Sequence, residues 1–240
     1  MLVTGSADGL GRLAAESLLV QGHEVVVHVR NDDRLDAVRD LQDHGAAAVV
    51  GDLSDLEQTR AIADQANDLG RMDAVIHNAA VLHGRDVLPV NVVAPYLLTA
   101  LITRPGRLVY LSSGMHYGGR AAVADMDWSG RRTTGSYSDS KLFVNAMTMA
   151  LARMWPAVCS NAVDPGWVPT KMGGASASDD LELGHVTQEW LATSDDPEAL
   201  TSGGYWYHRQ RREPAAAVHD RRLQDELLES LAEFTGTPLV

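Results

Sequence analysis

Apolar residues along this chain follow two alternating rhythms. Short unbroken runs, such as Ala47-Ala48-Val49-Val50, Ala74-Val75-Ile76 and Leu108-Val109-Tyr110-Leu111, are separated by longer stretches with apolar residues every three or four positions. The first kind suits strands covered on both faces, the second amphipathic helices. The pattern predicts strands at 1–3, 24–29, 47–50, 74–77, 108–111, 158–163 and 204–207. Helices are expected at 12–21, 36–44, 56–68, 87–103, 137–154 and 220–234. Pro95, inside the fourth of these, should kink that helix or mark a boundary.

Such alternation defines an α/β chain with a Rossmann-type, doubly wound parallel sheet of about seven strands. One catalytic domain spanning 1–240 is expected, with no internal repeat or linker. Only three residues precede Thr4, few for a buried strand: either this strand is short or the true start lies upstream of Met1. Residues 173–196, rich in small and acidic side chains, interrupt the rhythm after a strand's carboxyl end. They are expected to form a mobile lid that brings Trp190 towards the substrate.

Composition narrows the classes of function. A formal net charge of −12 argues against nucleic acid or an anionic membrane surface as a partner. No membrane-spanning run or secretory leader is visible, and Cys159, the sole cysteine, excludes an internal disulfide; a cytoplasmic protein is expected. Cys159, on the approach to a strand, reads as a packing residue. The nine histidines are scattered without the spacing of a metal site, so no metal is expected.

Candidate chemistry is concentrated at the expected strand ends. Tyr137 and Lys141 lie one helical turn apart, about 6 Å along the axis. An ammonium at that distance would favour the phenolate and lower the tyrosine pKa, suiting it to general acid/base work. Thr4-Gly5-Ser6-Ala7-Asp8-Gly9-Leu10-Gly11 joins the first strand to the first helix, the context in which a pyrophosphate meets free helix N–H groups. At the end of the second strand, Val29 stands where an acid would bind a ribose 2′-hydroxyl, and Arg30-Asn31 follow; an arginine there suits a 2′-phosphate. Arg12 offers a second positive charge. Asp52-Leu53 suit an adenine contact, Asn78-Ala79-Ala80 a close passage of the cofactor, and Ser112 or Ser113 a hydroxyl facing the reacting carbon.

Together these residues resemble the short-chain dehydrogenase/reductase family over essentially the whole chain. The matches are the glycine turn, Asp52, Asn78-Ala79-Ala80, Asn91, Ser113, the Tyr137/Lys141 pair and Pro165-Gly166-Trp167-Val168-Pro169-Thr170. Ala124-Asp125-Met126-Asp127-Trp128 and the ending Gly203-Gly204-Tyr205-Trp206-Tyr207 are similar to the branch of retinol-dehydrogenase-like enzymes and microbial ketoreductases. The resemblance implies Tyr137 as acid/base, with Lys141 lowering its pKa and binding the nicotinamide ribose. It implies Ser113 on the carbonyl oxygen and Asn91 as anchor of a water relay to Lys141. It also implies that Gly5, Ser6, Asp8, Gly9, Leu10, Gly11, Arg30, Asn31, Asp52, Leu53, Asn78, Ala79, Ala80, Pro165, Gly166, Val168 and Thr170 hold the cofactor. His77 and Ala80 depart from the family pattern, as does the short connection from Ala80 to Asn91. The helix after it, which with that of Tyr137 commonly forms the family's dimer interface, is also short; a homodimer is left open.

On the substrate side, His83, Met115, His116, Trp167 and Trp190 should converge as an apolar, aromatic-walled pocket. Arg209 to Arg212 reads as solvated surface. The expected function is NADPH-dependent reduction of a ketone or aldehyde on a bulky apolar small molecule, or the reverse alcohol oxidation. An NADP(H)-binding redox sensor without turnover is the alternative; intact Asn91, Ser113, Tyr137 and Lys141 argue against it. An epimerase on the same scaffold would favour tightly held NAD and an acid near Val29, which is absent.

Overall fold

Side-chain alternation along the strands sorts the core into two layers. A computed structural model describes all 240 residues, Met1–Val240. Its strands are β1 (Leu2–Val3), β2 (Val26–Val29), β3 (Ala47–Val50), β4 (Ala74–His77), β5 (Arg107–Leu111), β6 (Cys159–Asp164), β7 (Gly204–Tyr207) and β8 (Gln210–Arg212). The helices are α1 (Gly9–Val20), α2 (Arg39–Asp43), α3 (Leu56–Asp68), α4 (Ala94–Leu101), α5 (Tyr137–Met154), α6 (Leu183–Thr193) and α7 (Arg221–Thr235). All strands share one sheet in the order β3-β2-β1-β4-β5-β6-β7-β8, parallel up to β7 and antiparallel at β8. Leu2, Val75, Leu108 and Tyr110 pack with α3, α4, α5 and α7; Val3, Val27, Ile76, Val109, Val163 and Trp206 pack with α1 and α6.

The chain leaves β1 in one direction towards β2 and β3 and resumes on its other side with β4. Register fixes this reversal, with Leu2 opposite both Val26 and Val75. A crevice therefore opens beyond the carboxyl ends of β1 and β4, where open α/β sheets bind ligands. β1 spans Leu2–Val3, and the Met1 nitrogen donates to the carbonyl of Glu24 at 2.7 Å.

Several expected elements are redrawn. The helix at 87–103 is a π-turn, Pro89–Val93, followed by α4. Pro95 has no N–H to return to the Asn91 carbonyl four residues back, and the hydrogen-bond ladder widens just before it. The helix at 36–44 is a 3₁₀ segment, Asp32–Val38, running into the short α2. The first helix begins three residues earlier than expected, at Gly9, so the glycine turn contributes its first turn.

The largest correction concerns 173–196. Leu183–Thr193 is the crossover helix between β6 and β7, packed on α1 and the sheet, and cannot swing as a lid without opening the core. Trp190 is buried edge-to-face on Trp206, centroids 5.2 Å apart, so it faces the core rather than any substrate. The sequence 209–212, expected as plain surface, supplies the hairpin turn and the added eighth strand.

Candidate active site

The amino end of α1 forms the floor of the crevice. Gly5 and Gly9 take φ of +67° and +57°, and a Cβ on Gly5 would lie 3.0 Å from Ala79, so the turn passes against β4 only because it has no side chain there. Asn78 braces it, donating from Nδ2 to the carbonyls of Thr4 (2.9 Å) and Gly5 (3.2 Å). His28, missed in the sequence, pins the same loop. Its Nδ1 accepts the Gly5 N–H at 3.0 Å, which fixes the tautomer with Nε2–H donating to the Gly51 carbonyl at 2.8 Å. Burial lowers its pKa and keeps it neutral. Gly9, Leu10 and Gly11 open the helix with no acceptor for their N–H groups, and Asp8 provides no side-chain cap. Free donors at a helix amino terminus, against a backbone that comes close, fit a pyrophosphate.

The crevice above encloses about 1170 Å³, open mouth included. Of the expected cofactor residues, Gly5, Asp8, Gly9, Leu10, Arg30, Asp52, Leu53, Asn78, Ala79, Ala80, Tyr137, Lys141, Pro165 and Thr170 line it. Others lie behind the wall. Ser6 is fully buried, its hydroxyl bonded to the Val3 carbonyl and accepting the His28 N–H, so it ties β1 to β2 rather than facing the crevice. Gly11 is buried against the Asn78 amide and Val168 is buried, while Asn31 starts the 3₁₀ segment without capping it. Gly166 turns the chain with φ +83°.

Charge at the outer wall is paired. Arg30 donates from Nε and Nη2 to Asp52 Oδ2 at 2.7 and 2.6 Å, and Asp52 Oδ1 takes the N–H and hydroxyl of Ser54. Asp52 is thus engaged with protein donors rather than presenting both oxygens to an adenine. Arg12 is bound to Asp40 and the Ala37 carbonyl and, unlike Arg30, does not line the crevice. Arg34 and Lys171 were not singled out in the sequence, yet both reach Asp8 at the crevice edge, at 3.4 and 2.6 Å.

At the inner end the capping box of Ser136 and Asp139 sets the start of α5, and Tyr137 is its first residue. Ser113 accepts the Met115 N–H at 3.2 Å and lies beside Tyr137. Ser112, in contrast, is buried and accepts from Asn145 at 2.7 Å. Lys141 is buried, its Nζ 2.5 Å from the Leu111 carbonyl and 5.4 Å from the Tyr137 ring centroid. The Asn91 amide is taken up by the Val81 backbone (2.8 and 3.0 Å) and the Ser140 hydroxyl (3.0 Å).

The electrostatics reverse one expectation. Tyr137 is not lowered but pushed up to about 12, by burial first and by the Asp164 carboxylate, against the opposing influence of the Ser113 hydroxyl. Burial lowers Lys141 to about 7. Each charge is disfavoured in a desolvated niche, and the lysine's own bond goes to a carbonyl rather than to the phenol. In this state the tyrosine holds its proton at neutral pH.

A second cavity of about 600 Å³ adjoins Tyr137 and is lined by Leu82, His83, Val87, Met115, Thr133 and Ser138 among others. His83 and Met115 thus meet as expected. Trp167 does not join them: it is exposed, with its indole N–H on the Gly173 carbonyl at 2.9 Å. His116 is buried behind Ser113, as described below.

Comparison with known proteins agrees with this geometry. The short chain dehydrogenase family model matches residues 1–181. Short-chain dehydrogenase chry4 of Gibberella zeae is 34% identical over 100% of this chain and 98% of its own. The Streptomyces sp. (strain C5) protein DnrU, provisionally named a daunorubicin C-13 ketoreductase, is 30% identical over 98% of this chain and 92% of its own. Human retinol dehydrogenase 13 is 26% identical over 98% and 84%. A solved short-chain dehydrogenase of Shigella flexneri 2a (strain 301), also provisionally assigned and complexed with NADP, superposes with a TM-score of 0.68 at 26% identity, over 87% of this chain and 96% of that one. The chain belongs to the short-chain dehydrogenase/reductase family and is an NAD(P)-dependent oxidoreductase acting on alcohol or ketone groups of a small molecule.

Proposed function

We propose that this protein reduces a ketone or aldehyde on a bulky apolar molecule, with NADPH as the preferred cofactor and Tyr137 as general acid. One observation carries the reading: Tyr137 stands in the wall between two cavities and lines both. The first has the glycine turn, the helix amino terminus and Lys141 of a dinucleotide site. The other is walled by Leu82, Val87 and Met115 and suits an apolar substrate.

Bound NADPH supplies the hydride for the carbonyl carbon. The protein's own residues manage the oxygen. Ser113 and Tyr137 together polarise the carbonyl, and the phenolic proton of Tyr137 passes to the oxygen as negative charge develops there. Lys141, in its ammonium form, stabilises the phenolate left behind. Asn91 braces the loop after β4 through Val81, and a water relay from it to Lys141 belongs to the same proposal. Pro165 and Thr170, which line the crevice, would hold the nicotinamide half, with Gly166 shaping the turn and Val168 packed behind it, and Arg30 would hold the adenosine 2′-phosphate, with Asn31 behind it. A tyrosine that keeps its proton at neutral pH is in the state that the reductive step requires. The relative named for reduction of daunorubicin at C-13 supports a ketone as substrate. The NADP complex of the Shigella protein supports the phosphorylated cofactor.

The test is a ketone and aldehyde panel with NADPH and NADH consumption followed separately. Turnover is expected with NADPH and apolar ketones. Tyr137→Phe should lose it by about 10²-fold or more while cofactor affinity holds. Near-normal activity in that variant would remove Tyr137 from the mechanism.

A further inference from the structure

Asp164 ends β6 one residue beyond the Leu111–Val163 register pair, beside the serines that follow β5. Ser112 N–H donates to the Val163 carbonyl at 2.7 Å, so the two chain segments are locked together at this point. The Asp164 carboxylate is held at both oxygens by neutral donors. Gly166 N–H reaches Oδ1 at 3.0 Å and the Tyr205 hydroxyl reaches Oδ2 at 2.9 Å. A Cβ on Gly114 would lie 3.1 Å from Oδ2, which puts the carboxylate directly against the peptide that follows Ser113.

Behind it lies a rigid support. The Tyr205 ring packs on His116, centroids 4.7 Å apart, and edge-on to Tyr117 at 6.3 Å. His116 is fully buried; its Nε2 accepts the Ala215 N–H at 3.0 Å, so Nδ1–H donates to the Ser113 carbonyl at 2.8 Å. The carboxylate therefore cannot drift from the reacting groups without disturbing Ser113. The titratable groups around it are His116 and Tyr117 from the turn after β5, Tyr137 and Lys141 from α5, Tyr205 and Tyr207 from β7, and Asp179, packed on the other side of Gly166. Arg212 lies beyond them on β8. For Lys141 this carboxylate is the one charge that opposes burial.

We propose that Asp164, clamped by Tyr205 and the Gly166 amide, is a positioning residue that supplies the counter-charge for the Lys141 ammonium and keeps the Tyr137 proton in place until the carbonyl oxygen takes it. The proposal rests on the oxidoreductase reading above. It carries a sign. A nearby anion raises the pKa of both an ammonium and a phenol, so its removal lowers both.

Asp164→Asn keeps the shape and an acceptor for Tyr205 while removing the charge. The pH profile of kcat is measured in both directions on one ketone/alcohol pair. Reduction needs Tyr137 and Lys141 protonated and fails as pH rises; oxidation needs the phenolate and gains as pH rises. Both limbs should move to lower pH by about one unit in the variant. Reduction just above neutrality then drops several-fold while oxidation rises. Asp164→Ser should behave alike, and Asp164→Glu should restore the wild-type limbs. A uniform fall at every pH with unmoved limbs would overturn the proposal, as would failure of both neutral variants to fold, since the carboxylate would then be structural. Wild-type protein inactive on every carbonyl would defeat the oxidoreductase reading instead. The Asp164 proposal would then be decided by tyrosinate absorbance, titrating wild type and Asp164→Asn each against its Tyr137→Phe counterpart; an unmoved Tyr137 transition would overturn it.

Discussion

His77, the last residue of β4, lies flat against Tyr110 with ring centroids 4.6 Å apart. Its Nε2 meets the Thr99 hydroxyl at 3.2 Å and its Nδ1 has no partner. Burial pushes its pKa down to about 3. A histidine lowered on folding takes its proton in the unfolded chain first. Its contribution to stability is thus present above the unfolded value of about 6.5 and is lost as pH falls from there towards 3, by up to about 1.4 kcal/mol per pH unit. His28, lowered for the same reason, adds in the same direction. Urea unfolding between pH 7 and pH 5 should show this decline, and His77→Phe, which keeps the stack on Tyr110, should flatten it. Equal slopes in the two proteins would place the acid sensitivity elsewhere. Arg30 carries a second prediction at this scale. It is paired with Asp52 on an exposed wall and can exchange that partner for a phosphate in a charge-assisted contact. Arg30→Ala should raise KM for NADPH by about tenfold or more and leave NADH nearly unchanged. Equal use of both cofactors by the wild type would show that Arg30 does not select the phosphate.

The hairpin from β7 to β8 turns through His208 and Arg209 with φ of 49° and 60°, left-handed values that asparagine and glycine tolerate better. Arg209 keeps the turn through its backbone, whose N–H reaches the Thr187 hydroxyl at 3.1 Å. Arg209→Gly retains that bond and relieves the strain, so it should stabilise by about 0.5–1 kcal/mol, a rise of a few degrees in Tm by circular dichroism. A lower Tm would show that the arginine side chain makes contacts that outweigh the strain. The sequence hid this hairpin because β8 alternates nothing: it is Gln210-Arg211-Arg212, all exposed. It hid α6 for a related reason. The buried face of that helix includes His185, Thr187, Gln188 and Glu189, with His185 and Glu189 satisfied by each other and Glu189 by Ser17, so apolar periodicity reports only part of it. By contrast β3, β4 and β5 are built on the unbroken apolar runs Ala47–Val50, Ala74–Ile76 and Leu108–Leu111, and α5 announces itself through Ser136 and Asp139. The candidate site was legible where backbone geometry demands a residue type, as at Gly5 and Gly9. It was illegible where burial decides, as with the raised Tyr137, the inward Ser6 and the distant Trp190.

At the scale of the whole molecule, the question is what covers α4 and α5, the helices that the family resemblance placed at a dimer interface. Residues Ala94 to Thr99 of α4 are all buried, as is most of α5. The cover comes from the same chain. Val123, Met126 and Trp128, of the segment inserted between β5 and α5, join Leu223, Leu227 and Leu231 of α7 in one core cluster with Tyr96 and Phe143. Trp128 meets Phe143 edge-to-face with centroids 5.7 Å apart, and its indole N–H donates to the Ser230 hydroxyl at 2.8 Å. The Tyr96 hydroxyl donates to the Thr237 carbonyl at 2.8 Å, stitching the carboxyl end over α4. Sheathed in this way, α4 and most of α5 offer little apolar area to a second copy, and a net charge of −12 adds mutual repulsion. Light scattering after size exclusion should therefore give a monomer of 25.9 kDa over a wide range of concentration. Trp128→Ala should strip part of the cover, destabilise the fold by about 3 kcal/mol or more, and make the protein self-associate as α4 and α5 become accessible. A wild-type dimer that survives dilution would mean that the chain pairs through another face, and that the insertion and α7 serve the core alone.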